Sequence, residues 1–177
     1  MQIKCACLLA AVLGVGASLA ATVTWTGAAG DGQWATDANW DGGVRPGADD
    51  DALFTASATL TASTDFACTV CVQGEGTRLV LDVDEAAACT VAVDEGATLE
   101  KTGAGTLTLR AAPGYHPGGI VVTAGEAVFA GNGDWEAPGA FGPVSVAAGA
   151  RARVVESPAD QRHGVPVFAG GRTEDEI

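Results

Sequence analysis

The sequence predicts an all-β chain wound as a single-stranded parallel β-helix, a solenoid of about five to six rungs. Three observations lead there. The first is an internal echo: Cys68-Thr-Val-Cys-Val and Cys89-Thr-Val-Ala-Val lie 21 positions apart (68 to 89), a length that suits one turn of a solenoid. The second is composition. Apolar residues make up 47% of the chain, enough to exclude wholesale disorder, yet aromatics are only 6% and glycines number 25. Small and β-branched side chains fit a thin interior with no room for a thick core. The third is the rhythm of residues 99–128, where short β-type runs alternate with glycine-marked corners. A rung of that kind cannot bury its apolar face alone, so one rung implies neighbours stacked on it. A β-sandwich is the alternative; it would need hairpin turns at regular spacing, which the echo does not suggest.

The chain opens with a secretory leader over residues 1–20. Lys4 is the one charge ahead of an apolar run over 5–20, and Ser18-Leu19-Ala20 places small residues where a signal peptidase reads them. Cleavage is expected after Ala20, with Ala21 as the next choice. The run is about 16 residues long, short of the roughly 20 that a helix needs to span a bilayer. The mature chain is therefore expected to hold no transmembrane segment. The net charge of −13 becomes −14 once Lys4 leaves. Such a chain repels nucleic acid and anionic lipid, whose binding depends on clustered Lys and Arg.

Residues 21–54 are expected to form an N-terminal cap. Three of the four tryptophans, Trp25, Trp34 and Trp40, fall there, separated by Gly, Asp and Asn that mark tight turns. A solenoid needs a cap because an open end exposes strand edges and apolar rungs. Residues 55–155 are assigned to the rungs. Period-2 alternation puts Cys68, Val70 and Val72 on one inward face, with Cys89, Val91 and Val93 on the next. Further strands are expected over 78–83, 106–110 and 151–155. A recurring Val-x-x-Gly at Val93/Gly96, Val122/Gly125 and Val146/Gly149 suggests rungs with corners of variable length. No helix is expected after residue 20. Residues 156–177 read as a strand over 165–169 within loop or tail.

Residue for residue, 99–128 resembles the autotransporter-associated β-strand repeat. Leu99, Lys101, Gly103, Gly105, Thr106, Leu107 and Leu109 fill the first part of that pattern; Tyr115, Gly118 and Gly119 approximate the second; Val122, Gly125 and Val128 fill the third. His116 and Pro117 stretch the Tyr-to-Gly spacing, and Glu126-Ala127 stands where Thr-Leu is usual. The resemblance covers about 30 of 177 residues. It implies an exported β-helical passenger-type module. Relatives of that kind carry a membrane β-barrel after the passenger, and none follows here, so the chain is expected to be either the leading piece of a longer passenger or a small secreted protein built from the same repeat.

Little in the sequence points to chemistry. Three cysteines follow the leader, Cys68, Cys71 and Cys89. In-register stacking would set Cys68 over Cys89 at about the 4.8 Å strand spacing, within the Cα range of a disulfide, so the pair is expected to be close and open to bridging. Cys68-x-x-Cys71 lies in a β-type run that sends the two side chains to opposite faces, which argues against a metal or redox motif. Asp49-Asp50-Asp51 reads as a solvated loop. Asp82, Asp84, Asp94 and Glu95 near strand ends could draw a weakly held calcium ion. Some β-helices cleave polysaccharides, but their sites need clustered Asp with Arg or Lys, and only Arg78 and Arg110 are placed near acids. Neither His116 nor His163 has a nucleophile arranged beside it.

No catalytic, cofactor or metal residue is therefore assigned. The expectation is a non-catalytic spacer or adhesive surface, secreted or held at a bacterial cell surface, meeting extracellular glycans or surface proteins. A glycan-binding module using Trp25, Trp34, Trp40 or Trp135 is the second reading, and a polysaccharide-active enzyme the third.

Overall fold

A computed structural model describes residues 20–62, 66–131, 139–155 and 168–169. The leader residues 1–19, Trp135, His163 and most of 156–177 lie outside the described residues. Fifteen strands occur among the described residues, numbered in chain order. They are β1 (Thr22–Thr24), β2 (Asp51–Phe54), β3 (Ala58–Ala62), β4 (Thr69–Val72), β5 (Arg78–Val83), β6 (Ala86–Val93), β7 (Thr98–Thr102) and β8 (Thr106–Ala111). Then follow β9 (Gly114–His116), β10 (Gly119–Val122), β11 (Glu126–Ala130), β12 (Gly139–Phe141), β13 (Val144–Val146), β14 (Arg151–Val155) and β15 (Phe168–Ala169). The only helical elements among the described residues are single 3-10 turns at Asp37–Asn39 and Asp41–Gly43.

The strands alternate between two sheets. One runs β1-β2-β4-β6-β8-β11-β14, the other β3-β5-β7-β10-β13-β15, and β9 pairs with β12 on a small third face. Every pairing between named strands is parallel. That is a β-solenoid, and it excludes the antiparallel sandwich. Four turns carry strands of four residues or more in both sheets, from β2/β3 to β8/β10. Beyond them the second-sheet strand shortens to three residues in β13. The regular coil is thus about four turns, slightly fewer than the five to six expected.

Alternation along each strand builds the interior. In the first sheet Ala52, Val70 and Val91 stack, as do Phe54, Val72 and Val93. In the second, Leu79 lies over Leu99 and then Ile120 and Val144, all buried. Each turn leaves the next a matching apolar floor, so hydrophobic burial and the hydrogen-bond ladder enforce the same register.

Two expectations shift. The solenoid begins earlier than assigned, because β2 (Asp51–Phe54) already pairs with β4, so the cap ends before Asp51. The Val-x-x-Gly series also mixes two corners. Val122 and Val146 are true register partners one turn apart, whereas Val93 ends a strand of the other sheet.

The corner following the second sheet is the tighter of the two, with connections of two to three residues at 84–85, 103–105 and 123–125. Consecutive backbones meet there. A β-carbon at Gly105 would sit 1.8 Å from the Glu85 carbonyl oxygen, and one at Gly125 would sit 2.4 Å from the Gly105 oxygen. Gly125 also needs its left-handed φ of 65°. Gly105→Ala is expected to lower stability by about 2 kcal/mol or more, because rigid backbone must move. Urea denaturation checks this against Gly119→Ala, where a β-carbon meets nothing nearer than the Thr98 hydroxyl at 3.8 Å.

Candidate functional site

Side chains of distinct chemistry gather at three places: the aromatic cap, the cysteine pair, and the lysine corner.

At the cap, β1 lies along the outer edge of β2 and the intervening loop folds over the first turn. Trp40 is 2% exposed and packs edge-on against Trp25 at 5.0 Å and Trp34 at 4.7 Å between ring centroids. Trp25 stacks on Phe54 at 5.8 Å, and Trp34 meets Phe66 edge-on at 4.4 Å. The Trp40 Nε1–H donates to the Trp34 carbonyl at 3.0 Å. These contacts close the apolar end of the coil. Buried Trp40 offers no face to a sugar, which removes it from the expected glycan contacts. Trp25 and Trp34 are half-buried and pack against the core.

Buried Asn39 holds this loop together. Its Nδ2 donates to Asp31 Oδ1 at 2.6 Å and to the Gln33 carbonyl at 3.0 Å, while its Oδ1 accepts from Ala29 N–H at 2.9 Å. The Gln33 backbone N–H, then the Thr36 hydroxyl and Asn39, hold the Asp31 carboxyl below its ordinary range. Asp50 is lowered likewise by the Ala21 and Gly47 backbone N–H groups, pinning the start of β1 beside β2. Asp31 and Asn39 escaped the sequence reading because polar residues in a turn-rich loop look alike until one of them is buried.

The cysteines divide as expected in one respect. Cys71 pairs with Ala92 on the outward face, whereas Cys68 and Cys89 are buried. The ladder between β4 and β6 begins only at Thr69 and Thr90. Just before it, the Phe66 N–H bonds the Ala88 carbonyl at 2.8 Å, where strict register would send it to Ala86. The chain leaves the ladder at Cys68 as it carries Phe66 under Trp34. No bridge joins Cys68 to Cys89 in the structure; Cys68 is a thiol. Burial, with lesser contributions from nearby acids, pushes the Cys68 and Cys71 thiols up to about 11.

Lys101 is fully buried, and its column runs Leu60, Leu81, Lys101, Val122, Val146. A lysine among aliphatic residues is costly unless its ammonium finds acceptors. It finds them at the tight corner. Nζ donates to the Thr102 carbonyl at 2.7 Å and the Gly103 carbonyl at 2.8 Å, with the Val83 carbonyl at 3.5 Å. A β-carbon on Gly125 would come within 2.8 Å of the same nitrogen. Lysine and glycines thus form one device: the amine supplies donors to a corner whose carbonyls have turned inward. Burial lowers the lysine pKa, and Asp82 and Asp84 partly offset that.

On the outward face of the same turns, the Arg78 guanidinium pairs with buried Glu100, and the Thr123 hydroxyl lies 3.3 Å from the other Glu100 oxygen. Asp82 accepts from the Thr102 hydroxyl at 3.0 Å. His116 Nε2 lies 3.2 Å from the Ala112 carbonyl. Among the described residues, no three of His, Cys, Asp or Glu converge to hold a metal ion, Asp82, Asp84, Asp94 and Glu95 included.

Fold and side chains together define a capped parallel β-solenoid in which, among the described residues, every buried side-chain polar atom has a hydrogen-bond partner. No family model matches the chain, no curated protein matches it, and no solved structure matches it.

Lys101→Met should cost about 1–3 kcal/mol, because it leaves the corner carbonyls without their donor. The pH dependence has a definite sign. With the folded pKa below the ordinary 10.5, the unfolded chain binds more protons in the interval between the two values. Stability contributed by this group therefore rises with pH across that interval, and Lys101→Met should lose the rise; paired urea titrations from pH 8 to 10 would show it. For the thiols, a value of about 11 leaves roughly one molecule in a thousand as thiolate at pH 8. Iodoacetamide should label Cys68 and Cys71 slowly in the native protein and rapidly in urea, as read by mass spectrometry.

Proposed function

We propose that the chain is an exported, non-catalytic β-helical passenger-type module, a stiff spacer or adhesive surface at a bacterial envelope. The observation that supports this most is the continuous parallel stacking from the tryptophan cap to β14, with apolar residues inward and polar ones outward. Seven strand levels at about 4.8 Å make a rod roughly 30 Å long. Its rigidity comes from a ladder in which bending at one turn would break hydrogen bonds to the next.

The two corners differ in a way that suits display. One is two or three residues long at 84–85, 103–105 and 123–125 and four at 147–150, with Lys101 and the glycines at 103, 105 and 125 in its middle turns. The other varies more, through 55–57, 73–77 and 94–97 to 112–118, a stretch that includes β9. Loops on the longer corner can vary without disturbing the stack, which supports a contact role for that side of the rod. The leader-like residues 1–20 and the resemblance of 99–128 to passenger repeats support export.

Antibody against residues 21–177, used on fractions of the source cells, tests this reading. The expected result is a protein in the envelope, periplasm or medium whose N-terminus is Ala21. A cytoplasmic protein that retains Met1 would overturn it.

A further inference from the structure

β1 is a strand of three residues, and it is fastened to β2 at both ends. At its far end the Trp25 N–H donates to the Leu53 carbonyl at 2.8 Å. At its near end the Asp51 N–H donates to the Ala21 carbonyl at 2.8 Å, and the Ala21 N–H donates to Asp50 Oδ1 at 2.9 Å. The other Asp50 oxygen accepts the Gly47 N–H at 2.7 Å, so the carboxylate is held in place independently of Ala21. Ala20 and Ala21 are both exposed.

Ala21 is also the residue that comes first once a leader over residues 1–20 is removed. In the uncut chain its nitrogen is a neutral amide with a single proton. Hydrolysis of the Ala20–Ala21 peptide bond consumes a water molecule: Ala20 leaves as a carboxylate and the Ala21 nitrogen becomes an α-ammonium. A cation then stands where the Asp50 carboxylate already accepts. Charge-assisted hydrogen bonds of this kind are roughly twice as strong as neutral ones. The surroundings favour the charge. β1 packs against β2 and the second 3-10 turn, whose charged residues are Asp51 and Asp41, acids like Asp50. A cut one residue later, after Ala21, would discard both the nitrogen that meets Asp50 and the carbonyl that meets Asp51.

We infer that the Ala20–Ala21 bond is the maturation site of this chain and that the amine it frees pairs with Asp50, fastening β1 and the tryptophan cap to the first turn. The inference rests on residues 1–20 being a leader. Removal of the leader thereby tightens the cap that follows it. The pair has a definite sign with pH. An ammonium beside a carboxylate titrates above the ordinary α-amine range of about 7.7–8.0. Its stabilisation is whole below that range and is lost as pH rises through the raised value.

The test compares residues 21–177 bearing a free amine with the same chain acetylated at Ala21, which keeps the N–H and removes the charge. An NMR titration follows the amine, and tryptophan fluorescence in urea follows the cap. The amine should titrate above its ordinary range. At about pH 6 the free-amine chain should have the higher urea midpoint, and the gap should close by about pH 10. Asp50→Asn should return the amine to its ordinary range and close the gap at about pH 6, with circular dichroism checking that the variant folds. An amine that titrates in the ordinary range, or a gap that survives Asp50→Asn, overturns the pairing. Mass spectrometry of the native N-terminus separates this from the leader itself. A native chain that starts at Thr22 overturns the assigned bond while the leader stands. One that keeps Met1 overturns the leader, and the maturation site with it.

Discussion

Parallel in-register stacking governs everything else in this molecule. When each strand lies directly on its counterpart one turn away, every interior position becomes a column, and every column must be filled at the strand spacing of about 4.8 Å. Bulk varies within a column, as where buried Leu107 lies between Ala87 and Ala127, so side chains of the facing sheet must fill the space beside the alanines. Corners are under the same constraint: backbones that turn together must pass one another at ladder distance. Glycines at 105 and 125 are there because any β-carbon would strike the carbonyl of the turn before. Lys101 answers the consequence of that tightness, since carbonyls squeezed inward at the corner need a donor and water is excluded.

Much of this architecture was readable because a solenoid writes its period into the chain. The 21-position echo from 68 to 89 is the register of β4 on β6, seen directly in Thr69 opposite Thr90 and Cys71 opposite Ala92. Residues 78–83 and 151–155 form strands with those bounds. What stayed hidden was any feature that departs from the period. The sequence could not show that the ladder stops at Thr69, one residue short of Cys68, because that break serves Phe66, whose partner Trp34 lies 32 positions away and outside the repeat. Likewise Val93/Gly96 mimics Val122/Gly125 in letters but belongs to the opposite corner. A one-dimensional pattern cannot say which of two corners a glycine turns.

Lys101 shows the same limit from the other side. Its presence in a β-type run is plain from the sequence, while its role is not. In a strand one expects Lys to face water. Here the neighbours Leu81 and Val122 are inward, and the lysine shares their column. Its length is what matters: the aliphatic stem fills the apolar column as a leucine would, and the ammonium reaches past it to the corner. Arginine would carry a broader head into a space already bounded by Gly125, and methionine would fill the column without serving the carbonyls.

The contrast between the two ends follows from the same stacking rule. A parallel coil satisfies every backbone group except those on its first and last strands, and those two edges need separate solutions. At the start, the solution is local and covalently attached: β1 pairs with the edge, three tryptophans and Phe54 close the column, and Asn39 with Asp31 fixes the loop that carries them. Such a cap is irreversible in the sense that its components arrive with the chain. At β14 the apolar column continues to the surface, and the outward face changes sign to arginine.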